Sequence, residues 1–192
     1  LSDHPDIVDA MAVLDADRIV SVCSDALDVW SLASGECLQT LSGHSDWVLA
    51  VAVLGADRIV SGSCDQTLKV WSLASGECLQ TLSGHSDAVF AVAVLGADRI
   101  VSCSWDTALK VWSLAPGGCL QTLSGHSNYV PAVAVLDADR IVSGSADKTL
   151  KVWSVTNQRR HMAALQINRH WRDAIGNPER KLCRKWLARQ CE

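Results

Sequence analysis

The chain repeats itself every 41 residues, and a repeat of that length confines it to a stack or ring of supersecondary units. Ser42-Gly43-His44, Ser83-Gly84-His85 and Ser124-Gly125-His126 recur at that spacing, and Ser2-Asp3-His4 precedes them by 40. In the second unit the His is followed by the apolar run Val48-Leu49-Ala50-Val51-Ala52-Val53-Leu54. Asp57-Arg58-Ile59-Val60-Ser61-Gly62-Ser63 comes next, then a short loop with Asp65, then Leu68-Lys69-Val70-Trp71. Cys78-Leu79-Gln80-Thr81-Leu82 closes the unit.

Each segment reads as a short strand bounded by turn residues such as Gly55-Ala56-Asp57 and Ala74-Ser75-Gly76. The first run is apolar on both faces and is expected to be fully buried. The last alternates and suits an outer strand. Four antiparallel strands per unit make a propeller blade, so the expected fold is all-β. Four blades are expected over about 4–40, 41–81, 82–122 and 123–156, within a unit 1–156.

The sequence resembles the WD40 repeat family. The second unit carries the resemblance in Gly43-His44, Ser61-Gly62-Ser63-Cys64-Asp65 and Leu68-Lys69-Val70-Trp71. The family's closing Trp-Asp is Trp-Ser here, at Trp30-Ser31, Trp71-Ser72, Trp112-Ser113 and Trp153-Ser154. The resemblance implies a β-propeller arc that binds proteins or peptides, without catalysis or cofactor. It also implies a buried hydrogen-bonded tetrad in each blade: His4, Ser21, Asp25, Trp30; His44, Ser61, Asp65, Trp71; His85, Ser102, Asp106, Trp112; and His126, Ser143, Asp147, Trp153. A His, a Ser and an Asp in every unit could suggest a hydrolase triad, but a nucleophile needs one special exposed position, not four equal ones. The first unit departs from the pattern, with Asp3 before the His, Val22-Cys23 for Gly-Ser, and one residue fewer between Asp25 and Trp30. Blade 1 is therefore expected to be the least stable.

Positions that hold the fold should repeat, and positions that meet a partner are free to differ. Residues 44–84 and 85–125 differ at eight positions. Five flank two loops, the start of the first strand and the hairpin around Asp65 or Asp106: Trp47/Ala88, Leu49/Phe90, Cys64/Trp105, Gln66/Thr107 and Thr67/Ala108. The fourth unit has Tyr129, Pro131 and Ala146 at three of these places. In the WD40 family both loops lie on one binding rim. The expected partner-binding set is Trp47, Leu49, Cys64, Phe90, Trp105, Tyr129, Pro131 and Ala146, with the four aromatics as anchors.

Charge divides the chain. Residues 1–156 carry 8 Lys/Arg against 18 Asp/Glu, and residues 157–192 carry 9 against 3. The tail is thus a separate basic unit. Asn177-Pro178 opens a helix expected over 178–191. Leu182, Cys183, Trp186, Leu187 and Cys191 fall on one face, and Arg180, Lys181, Arg184, Lys185 and Arg189 mostly on the other. It is expected to pack on the acidic repeats or cap an exposed blade edge; the other readings are binding to an anionic membrane, to RNA or another nucleic acid, or to an acidic partner. The acidic repeats argue against a large nucleic-acid footprint.

Cys37, Cys78 and Cys119 recur with the period, and no CxxC pair or zinc-type His spacing accompanies them. They are expected to be small buried hydrophobes in a reducing, intracellular compartment, cytoplasmic or nuclear, with no metal bound. No apolar stretch is long enough to span a bilayer. Four blades are few, and the chain starts at Leu1. Either it is part of a longer protein, or two copies pair into an eight-bladed ring.

Overall fold

The computed structural model describes residues 8–115 and 117–155, together with the backbone of Leu165–Gln166. Four four-stranded antiparallel sheets follow one another along the chain, each in simple sequence order. Blade 1 holds β1 (Val8–Val13), β2 (Arg18–Cys23), β3 (Ala26–Ser31) and β4 (Cys37–Ser42). Blade 2 holds β5 (Val48–Val53), β6 (Arg58–Ser63), β7 (Thr67–Ser72) and β8 (Cys78–Ser83). Blade 3 holds β9 (Val89–Gly96), β10 (Arg99–Ser104), β11 (Leu109–Ser113) and β12 (Gly118–Leu123). Blade 4 holds β13 (Ala132–Asp137), β14 (Arg140–Gly144), β15 (Leu150–Ser154) and the two-residue β16 (Leu165–Gln166). Among the described residues there is no helix. The helix expected over 178–191 lies outside them.

The core is three seams between blades. Val20, Val22, Leu27 and Leu41 of blade 1 pack against Val48, Ile59 and Trp71 of blade 2. Val60, Leu68, Val70 and Leu82 of blade 2 meet Val89, Ile100 and Trp112 of blade 3. Val101, Leu109, Val111 and Leu123 of blade 3 meet Val130, Ile141 and Trp153 of blade 4. Each blade thus offers a Val/Leu face that the Trp/Ile face of the next one covers. First strands of successive blades also lie beside one another, β1 by β5, β5 by β9 and β9 by β13.

This stacking corrects the expectation for the first strand. The second strand is the buried one: five of the six residues of β6 and of β10 are buried. It is central in its sheet, with a blade over each face. The first strand is a sheet edge and stays half-exposed, and in β1 Met11 and Val13 are 62% and 69% exposed. Apolarity alone does not distinguish those two situations.

The cysteines need a second correction. Cys23 and Cys103 are buried, but Cys37, Cys78 and Cys119 are exposed. The recurring Cys is the first or second residue of the fourth strand, at the far edge of the sheet, where its thiol reaches a nearby carbonyl and a Thr hydroxyl and, at Cys37, also the Asp28 carboxylate.

A clamp between blades accompanies the seams. The Gln39 side chain on β4, oriented with its carbonyl toward Gly76, accepts from the Gly76 N–H and donates to the Leu73 carbonyl. Gly76 has φ +76, and a Cβ there would collide with the Gln39 amide; Gly117 and Gln80 repeat the contact one blade on. Glycine suits the left-handed backbone at both places, and a Cβ there would displace the Gln amide from its seat.

Candidate functional site

Two sets of residues stand out at the end of the blades where the first strand begins and the second ends. One is buried and repeats; the other is exposed and varies.

The buried set is a relay across each blade. In blade 2 the Trp71 indole N–H donates to Ser61 Oγ at 2.8 Å, and Ser61 Oγ lies 2.7 Å from His44 Nε2. His44 Nδ1 lies 2.7 Å from Asp65 Oδ2. A carboxylate only accepts, so Nδ1 carries the proton, Nε2 accepts, and the Ser61 hydroxyl donates to it. The same relay joins Trp112, Ser102, His85 and Asp106, with distances of 2.8, 2.7 and 2.7 Å. It joins Trp153, Ser143, His126 and Asp147 at 2.7 Å throughout. The Asp is itself held by the N–H and hydroxyl of Thr67 in blade 2 and of Thr149 in blade 4. Gly43 and Gly84, with φ +150, precede the His because a Cβ there would press on the Trp ring at 3.3 and 3.2 Å.

Burial pulls the imidazoles of His44 and His85 below their ordinary value, against the opposing pull of Asp65 and Asp106. Burial would raise Asp65, Asp106 and Asp147, but hydrogen bonds from Thr67 and His44, from His85 and Ala108, and from Thr149 and His126 outweigh it and hold them low. The stable pairing is a neutral His donating to a charged Asp.

Ser–His–Asp in that order is also the arrangement that activates a hydrolase nucleophile. Here the serines of the three relays are enclosed. Ser61 is fully buried, and the Trp71 indole caps its hydroxyl. In blade 1 the Trp30 indole still donates to Ser21 at 2.8 Å. The missing residue closes the loop to a two-residue turn, Ser24-Asp25, between the paired Cys23 and Ala26, with Ser24 at φ 54. Asp25 is exposed there. His4 lies outside the described residues.

The exposed set sits just above this relay. The N–H of Cys64, Trp105 and Ala146 donates to the carbonyl of Trp47, Ala88 and Tyr129 respectively, so the two loops are tied together in blades 2, 3 and 4. Phe90 and Trp105 of blade 3 stack at 5.1 Å between ring centroids, with 24° between planes. Tyr129 of blade 4 joins them at 5.9 Å from Trp105 and 6.5 Å from Phe90. The Val130 N–H donates to the Ser104 carbonyl and fixes this meeting across the seam. Trp105 and Tyr129 are 48% and 40% exposed. Trp47 is 55% exposed, in blade 2, and Pro131 is exposed too. Leu49, Cys64 and Ala146 are half-buried. Among the described residues no group of three His, Cys, Asp or Glu could hold a metal ion, and no helix is long and apolar enough to cross a membrane.

The model of the WD domain, G-beta repeat, matches residues 35–72, 76–113 and 117–154, more than half of the chain. The chain belongs to the WD40 family, whose repeats generally mediate protein–protein interactions as scaffolds without catalysis of their own. Each match spans the fourth strand of one blade and the first three strands of the next, so each family repeat bridges a seam. No curated protein matches the chain significantly.

Proposed function

We propose that the chain is an intracellular interaction scaffold that holds a protein or peptide on the rim formed by Trp47, Phe90, Trp105, Tyr129 and the loops around them. One observation carries this reading: the residues that vary between near-identical repeats include the exposed aromatics, gathered at one end of the blades. Exposed aromatic clusters are costly on a soluble surface and are the usual anchors of an interface. Leu49, Cys64, Pro131 and Ala146 line the same loops and complete the patch. The buried relays are its rigid support. The acidic character of the repeats disfavours nucleic acid as the partner. The workplace of such a scaffold is the cytoplasm or the nucleus. A pull-down comparing wild type with Trp47→Ala/Trp105→Ala tests the reading. Loss of the captured partner with unchanged circular dichroism is expected; unchanged recovery overturns it.

A second reading concerns assembly. In blades 1 to 3 the Val/Leu face is buried under the next blade, whereas Val142, Leu150 and Val152 of blade 4 are only half-buried. Such a face invites the Trp/Ile face of another blade, from further repeats or from a second copy closing an eight-bladed ring. Light scattering on the purified chain separates the two: a discrete dimer supports the ring, and a monomer overturns it.

A further inference from the structure

Three rim positions meet at each seam, and their chemistry changes around the arc. At the seam of blades 3 and 4 they are Phe90, Trp105 and Tyr129. By the strand registers, the equivalent positions between blades 2 and 3 are Leu49, Cys64 and Ala88, and between blades 1 and 2 Asp9, Ser24 and Trp47. The aromatic stack therefore has a neighbour of different character. Burial pushes the Cys64 thiol up, and so do the carboxylates of Asp46, Asp65, Asp87 and Asp9. Asp9, Asp46 and Asp87 are exposed. Asp87 links the two regions, because its carbonyl accepts from the Ser104 hydroxyl at 3.0 Å, one residue before Trp105. Among the described loops of this rim the only Lys or Arg is Lys148, in the turn of blade 4.

This combination selects its occupant. Aromatic faces are electron-rich and attract a cation lying over them. A planar guanidinium stacks on such rings better than an ammonium does. An apolar partner would cover the carboxylates without pairing them, at a cost. A partner rich in phosphate or carboxylate would be repelled. We propose that this rim binds an arginine-bearing peptide segment of a partner protein, with one guanidinium on the exposed Trp105 and Tyr129 rings and further cationic residues paired with Asp87 and Asp46. The proposal rests on the rim reading above and adds the partner's chemistry.

The test uses the full chain and a fluorescein-labelled dodecapeptide of alternating Arg and Gly, with a second peptide carrying citrulline for Arg. Citrulline keeps the planar head and removes the charge. Anisotropy is expected to show binding of the Arg peptide and about ten-fold weaker binding of the citrulline peptide. Trp105→Ala weakens the Arg peptide by about ten-fold even at 0.5 M salt, and Trp105→Phe restores most of the loss. Asp87→Asn weakens it by about three-fold at low salt only. If Trp105→Ala changes nothing while the Asp substitution abolishes binding, the attraction is a general one to an acidic surface and the proposal fails. Equal, Trp105-dependent binding of both peptides overturns the cationic chemistry and leaves the rim reading intact. Binding that emerges only after Arg180, Lys181, Arg184 and Lys185 are changed to Gln makes the chain's own tail the occupant and overturns a partner in trans. Failure of the rim reading itself shows separately, as a pull-down indifferent to Trp47→Ala/Trp105→Ala.

Discussion

Trp112 on β11 and Trp105 in the turn between β10 and β11 teach opposite lessons. Trp112 has counterparts in Trp71 and Trp153, and each donates to a buried serine with nearly the same geometry. The His and Trp rings of the three relays even keep the same distance, 5.8 to 6.0 Å. Trp105 has no counterpart, for Cys64 and Ala146 stand at its position. The repeated Trp112 is held by a seam, whereas the unrepeated Trp105 lies half-exposed on the rim.

The comparison breaks most directly at Trp112. It is 1% exposed and fills the seam between blades 2 and 3. Trp112→Ala removes that filling and leaves a cavity, so a loss of about 3–5 kcal/mol is expected in urea unfolding. A loss as small as that of an exposed tryptophan would show that the seams do not depend on the repeated residues.

Ser102→Ala is a milder cut at the same point. It leaves the Trp112 N–H and the His85 acceptor nitrogen unpaired in a dry site. The expected cost is about 1–3 kcal/mol. Ser21→Ala in blade 1 is expected to cost less, since the shorter turn there leaves Asp25 exposed. Equal costs would put blade 1 on the same footing as the others.

How far this contrast could be read in advance differs between the two sets. Strand order and the relay residues follow from period, turn chemistry and the four-fold recurrence of His, Ser, Asp and Trp. The stacking of Phe90 and Trp105 on Tyr129 depends on how one blade turns against the next, and no spacing within a repeat encodes that rotation. Recurrence of Cys37, Cys78 and Cys119 says only that the three sites are alike, and not that they are buried. Leu38, Leu79 and Leu120 also repeat, yet they are exposed at the far sheet edges. Repetition is therefore evidence of equivalence, and burial comes from the layer each strand occupies. The clamp of Gln39 and Gln80 on Gly76 and Gly117 left a signal in the recurring Gln and Gly, but its two halves lie in different repeats.

Acid separates the two sets in another way. His44 and His85 are held below their ordinary value in the folded chain, chiefly by burial. As pH falls, the unfolded chain takes up those protons first, near pH 6.5. Their contribution is complete above about pH 6.5 and is lost as pH falls below it. Asp65, Asp106 and Asp147, held low by their hydrogen bonds, add a second loss that begins near pH 4 and deepens below it. Thermal midpoints at pH 7.5 and 5.5 should show the first loss, and a midpoint that rises toward pH 5.5 would refute a neutral buried imidazole.

The smallest effect on stability is expected from Trp105→Ala, and that smallness is the point. About half of the ring already faces water, and its stacking partners Phe90 and Tyr129 stay close to each other without it. An aromatic pair of this kind contributes about 0.5–1.5 kcal/mol, so unfolding should move by no more than that. A larger loss would make Trp105 a fourth seam residue and remove the ground for treating the varied rim as a binding surface. Little loss, together with lost capture of a partner, would mean that this residue type is kept there at the expense of an exposed apolar ring for a reason outside the fold.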